Sequence, residues 1–112
     1  MKKITAKFYK TARGNEPVRD WLKSLPAIEK KAIGDDIKTT EFGWPIGMPT
    51  CRILGGGLNE VRTEVADKWA RVFFCVKDKL MILLHGIMKT SNKTPKQDLD
   101  LAKKRMKEVL KK

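Results

Sequence analysis

The chain has 112 residues, 41% hydrophobic and 34% charged. Patterned apolar residues exclude a disordered chain and the length excludes a second domain, so residues 1–112 read as one domain with a modest core. Lys and Arg number 25 against 13 Asp and Glu, a formal charge of +12, which turns attention to polyanions: nucleic acid, an anionic membrane or an acidic protein.

The chain begins Met-Lys-Lys and passes directly into alternation. That start has neither a signal peptide nor a membrane span, and a cytoplasmic protein of bacterial or phage type, without membrane contact, is expected. Ile4, Ala6 and Phe8 alternate with Thr5, Lys7 and Tyr9, which predicts a first strand with one buried face. After the loop Thr11 to Asn15, Asn15 is a candidate cap with Pro17 in the first turn. Val18, Trp21, Leu22 and Leu25 recur at helical spacing, and Pro26 stops that helix. Ile28, Ala32, Ile33 and Ile37 predict a second helix, closing by Phe42-Gly43.

Trp44 to Pro49 is a rigid, proline-rich connector. Thr50 to Leu54 reads as a short strand. Gly55-Gly-Gly57 lacks the Lys-Ser/Thr ending and following helix of a phosphate-binding loop, so it reads as a hairpin turn. Strands are predicted over 58–65, 69–76 and 80–87. The last carries Leu80-Met-Ile-Leu-Leu84, apolar on both faces, and belongs inside the sheet. Thr94, Pro95 and Gln97 look like a capping box opening a final helix. Its apolar stripe is Leu99, Ala102, Met106, Val109 and Leu110. Its other face, Lys103 to Lys112, is basic, suited to a polyanion or simply to solvent. Cys51 and Cys75 belong to no metal-ligand spacing, so neither metal nor cofactor is expected, and Cys75 reads as a small buried hydrophobe.

The order of elements gives an α+β fold. It is a small twisted antiparallel sheet with an N-terminal helical pair and a C-terminal helix packed on one side, and the other face is left open.

Side-chain parity organises that open face. If the turn at Asp67-Lys68 is even in length, Glu60, Arg62, Glu64, Arg71 and Phe73 share one face, while Val61, Val65, Val72 and Phe74 point into the core. In the register that pairs Val65 with Ala70, Glu64 opposes Arg71 and Arg62 opposes Phe73. Arginine forks match phosphate oxygens, Lys68, Lys89, Lys93 and Lys96 form a basic rim, and Phe73 offers a stacking surface for a base. Glu64 and Arg71 read equally as a plain ion pair. His85 is either a satisfied near-core histidine or a base on this face. A three-residue turn at 77–79 places it opposite Arg71, and a two-residue turn sends it to the other face.

Several runs carry a resemblance: Leu58-Asn-Glu-Val-Arg62, Arg71-Val-Phe-Phe74, Leu83-Leu-His-Gly86 and Met88-Lys-Thr-Ser-Asn-Lys-Thr-Pro95. Upstream, Val18 to Pro26 with Trp21-Leu22, and Glu41-Phe-Gly-Trp-Pro-Ile-Gly-Met-Pro49, agree. The chain resembles the HigB-like branch of the RelE/ParE toxin superfamily, the phage-derived killer proteins. The resemblance implies a toxin of a type II toxin–antitoxin system, partnered by a helix-turn-helix antitoxin. It also implies an endoribonuclease that cuts mRNA on the ribosome with the RNA 2′-hydroxyl as nucleophile. Arg62 and Arg71 match the family's basic positions on the two central strands, and Lys89 matches the one after the last strand. No tyrosine lies near the C-terminal helix and no histidine pair occurs. Glu60, Glu64 and His85 are therefore the candidates for proton transfer, with Lys68, Lys93 and Lys96 holding RNA. The alternatives are a ParE-like gyrase inhibitor without nuclease activity and a basic RNA-binding module without catalysis.

Overall fold

The computed structural model describes residues 1–91 and 93–111, so Lys112 of the expected basic helix face lies outside the described residues. In chain order they form β1 (Thr5–Phe8), α1 (Pro17–Lys23), α2 (Ala27–Gly43), β2 (Cys51–Gly55), β3 (Leu58–Val65), β4 (Lys68–Lys77), β5 (Leu80–Lys89) and α3 (Lys96–Leu110). The α+β class is as expected. The five-stranded sheet has the order β1-β5-β4-β3-β2. β2 to β5 are an antiparallel meander, but β1 runs parallel to β5, so the sheet is mixed where an antiparallel one was expected.

Tight turns set the register. Ala66 and Asp67 have φ of 48° and 64°, and Asp78 and Lys79 have 52° and 64°. Left-handed conformation at both central residues is the two-residue hairpin turn whose twist matches the strands it joins. The first hairpin therefore pairs Val65 with Lys68, Arg62 with Arg71 and Glu60 with Phe73. This is two residues from the expected pairing. Because the shift is even, the division into faces survives, but Glu64 now opposes Trp69, not Arg71. In the second hairpin the two-residue turn alone would have turned His85 away. A bulge between Phe73 and Phe74 leaves Leu84 as an extra residue in β5 and brings His85 opposite Phe73.

Alternate side chains of the strands build two apolar clusters. Val61, Val72, Phe74, Met81 and Leu83 pack with Val18, Ile33 and Ile37 of α1 and α2. Leu58, Phe73, Cys75, Ile82 and Leu84 pack with Ala102 and Met106 of α3. The N-terminal pair thus covers one set of strand side chains. α3 lies over the alternate set, roofing part of the face that carries the arginines. The inward stripe of α2 steps through Glu29, Ile33, Ile37 and Glu41, so Ile28 falls off it and stays 75% exposed, contrary to expectation. Leu110 is likewise exposed rather than in the stripe of α3. The edge of β1 is closed by α2: Lys3 and Ile4 N–H donate to the Glu41 carbonyl, and Ala6 N–H donates to the Glu41 carboxylate at 2.7 Å.

The helix starts differ from the expected caps. Glu16 occupies the cap position of α1 and Pro95 that of α3, neither with a side-chain cap bond, so Asn15 and Thr94 are not caps. Among the described residues no helix is long and apolar enough to cross a membrane.

Candidate nucleic-acid interface

Cross-strand pairing arranges the α3 face in rows. One row runs Arg52, Glu60, Phe73, His85 across β2, β3, β4 and β5. The next runs Arg62, Arg71, Ile87, and the last Glu64, Trp69, Lys89. Partners in a row lie about 5 Å apart and successive rows about 7 Å. Arg52, Arg62 and Arg71 therefore surround Glu60. Parity in the sequence identified Arg62, Arg71 and Glu60. Arg52 was missed, because its short strand alternates too little to fix a face.

Glu60 and Arg71 are both 0% exposed. Arg71 Nη1 lies 3.4 Å from Glu60 Oε1 and donates to Thr94 Oγ1 at 2.8 Å. Arg62 Nε lies 3.7 Å from the same Glu60 oxygen, its side chain 11% exposed. The Arg62 guanidinium also sits 5.0 Å from the centroid of the Trp69 ring, a cation–π contact that holds it over the sheet. Glu60 Oε2 is buried and has no hydrogen-bond partner among the described residues. Burial pushes the Glu60 carboxyl above the ordinary carboxylate value, against the pull of Arg71, Arg62 and Arg52. Burial likewise lowers Arg71 from its ordinary value, opposed by Glu60; a guanidinium still keeps its charge.

Beside this cluster is a cleft of about 370 Å³ lined by Arg52, Leu54, Lys93, Thr94 and Leu99. Arg52 and Lys93 are exposed and give its mouth positive charge. At the far end of the Glu60 row, His85 Nε2 is 2.8 Å from Asp98 Oδ1 in the first turn of α3, and the His85 side chain is 16% exposed. Its ring stacks on Phe73, with centroids 5.9 Å apart. A histidine oriented by a carboxylate is a proton-transfer unit in chemical terms.

The other expected residues divide. Lys93 is in the cleft and Lys89 ends β5 on the arginine face. Phe73 is 0% exposed beneath His85 and α3, so it presents no surface to a base. Lys68 points to the other side, where its Nζ lies 3.4 Å from Glu29 of α2. Lys96 projects from α3 and pairs with Asp100 at 2.7 Å. No group of three or more His, Cys, Asp or Glu among the described residues could hold a metal.

The family profile described as "Phage derived protein Gp49-like (DUF891)" matches residues 20–107, a span that contains the three rows and the cleft. The chain belongs to the Gp49-like family. That family is toxin-like, of the RelE/HigB type. Comparison with curated proteins finds no match. The Gp49-like segment runs from Asp20 in α1 to Lys107 in α3, so β1 is the one strand outside it.

Proposed function

We propose that this Gp49-like protein is the toxin of a type II toxin–antitoxin pair and acts as a ribosome-dependent mRNA endonuclease. The observation that carries the reading is the gathering of Arg52, Arg62 and Arg71 around one buried carboxylate behind a basic cleft. Arg52 and Lys93 at the mouth take the RNA backbone. Arg62, with Arg71 behind it, relieves the charge that builds on phosphorus when the 2′-hydroxyl attacks. His85, oriented by Asp98, moves the proton. A helix-turn-helix antitoxin is the cognate partner, and the ribosome presents the mRNA.

The test is primer extension on mRNA from cells induced for the wild type and for Arg52→Ala/Lys93→Ala. Both side chains are exposed, so the variant keeps its fold. Discrete cuts that require translation, lost in the variant, are the expected result. Wild-type cutting by the variant removes this face from the mechanism. DNA damage without mRNA cuts replaces the reading with gyrase inhibition.

A further inference from the structure

The Glu60 carboxylate is oddly placed for a purely structural ion pair. Charge-assisted bonds that stabilise a fold close to about 2.7–2.9 Å. Glu41 comes near this distance, its Oε2 accepting from Ala6 N–H at 2.7 Å and from Lys2 Nζ at 3.2 Å. Glu60 does not. Its Oε1 is shared at 3.4 and 3.7 Å between Arg71 and Arg62, and its Oε2 is buried with no hydrogen-bond partner among the described residues. It balances charge that would otherwise be costly to bury, yet it grips loosely.

We propose that Glu60 is an internal stand-in for an oxyanion: it holds Arg62 and Arg71 charge-balanced in the unliganded protein, and when a phosphate group enters the cleft it yields them and takes a proton from solvent. The proposal rests on the phosphate-handling role given to this face above. The charged groups around Glu60 fix the sign. Arg52 comes from β2, Arg62 from β3 and Arg71 from β4, while Lys93, before α3, lines the cleft with Arg52. His85 of β5 and Asp98 of α3 lie at the far end of the row, beyond Phe73. An arriving anion engages the arginines that now favour the ionised carboxyl, and repels it as well. Burial already pushes the carboxyl up. Losing the arginine contacts removes the opposing pull, so the acid form takes over. Binding therefore draws in up to one proton and tightens as pH falls, by at most about tenfold per pH unit.

Sulfate is the first probe, because its charge is constant between pH 5 and 8, and a short single-stranded RNA oligonucleotide is the second. Calorimetric titration of the wild type with sulfate, in buffers of different ionisation heat, is expected to show net proton uptake. Glu60→Gln is expected to bind sulfate several-fold more tightly at pH 7.5 and to lose the pH slope. Both measurements are repeated in a His85→Asn background, so that uptake at Glu60 is separated from any at the His85–Asp98 pair.

Sulfate binding without proton uptake, or an unchanged slope in Glu60→Gln, overturns the proposal. If Glu60→Gln does not fold, the wild-type proton count decides alone. Sulfate bound with Glu60-dependent uptake, but no RNA bound, keeps the stand-in and removes the RNA reading. RNA bound without Glu60-dependent uptake does the reverse. No binding of either probe removes the stand-in.

Discussion

Thr94 Oγ1 accepts a 2.8 Å hydrogen bond from Arg71 Nη1, and so the hydroxyl that resembles a helix cap is used to hold a buried guanidinium. The Thr-Pro-Lys-Gln sequence fits a capping box, but α3 begins after Pro95 with no side-chain cap. Thr94→Val is expected to cost about 1.5–3 kcal/mol, the range for a bond to a charged group. Gln97→Ala should cost less than about 0.5 kcal/mol, as for an exposed site without such a role. Urea denaturation of both variants checks the pair of values. Equal costs would restore the capping box.

Arg71→Ala is a poor probe of activity. It leaves the fully buried Glu60 facing a cavity, and breaking one side of a buried pair costs about 3–5 kcal/mol. Glu60→Leu/Arg71→Met removes both charges, and should lose far less stability than the two single changes summed. A double-mutant cycle by chemical denaturation measures the difference. Additive losses would show that the two groups do not act as a pair.

The Glu60 titration also enters stability. Its folded pKa is raised, so the folded state binds more protons than the unfolded state between the ordinary and the raised value. This contribution is fully present below the unfolded pKa and is lost as pH rises through the folded pKa. The stability of the wild type minus that of Glu60→Gln should therefore fall as pH rises through that window. Denaturant midpoints across pH 4 to 8 read it. A rising difference would mean that the arginines, not burial, govern this carboxyl.

At the first hairpin turn, Ala66 and Asp67 both hold left-handed backbone. Such conformations cost L-residues roughly 1–2 kcal/mol each, less for Asp, and Asn-Gly suits them best. Ala66→Asn/Asp67→Gly is expected to raise stability by about 1 kcal/mol, seen as a shift of the urea midpoint with unchanged slope. A loss of stability would mean that the Ala66 methyl contributes packing that outweighs its backbone cost.

Much of the architecture was legible in the sequence. The bounds of β3, those of β4 and β5 to within two residues, the glycine hairpin before Leu58 and the segregation of Val61, Val72 and Phe74 from Arg62 and Arg71 follow from alternation with a period of two. What stayed hidden depended on single residues. The turn could be placed only to within two residues, which preserved faces but exchanged the partners of Arg71. The extra residue at Leu84 leaves no compositional mark, yet it decides on which side of the sheet His85 lies. Phe73 read as a surface aromatic because the position of α3 is set by tertiary packing, and α3 covers it. For the same reason Lys68 and Lys96 looked like parts of one basic rim, although Glu29 and Asp100 hold them elsewhere.

The closure of the β1 edge by Glu41 bears on how copies of the chain can associate. A strand arriving from another molecule would have to evict a carboxylate already bonded to Ala6 N–H and held by Lys2. At the opposite edge, Cys51 N–H is engaged by the Gly47 carbonyl, although Ile53 beside it is exposed. Fibre growth by strand addition needs two receptive edges on every molecule, one to give and one to take. With the β1 side stoppered, sheet-to-sheet pairing can proceed only through β2 and ends at a closed pair. The +12 chain is thereby kept from open-ended strand addition.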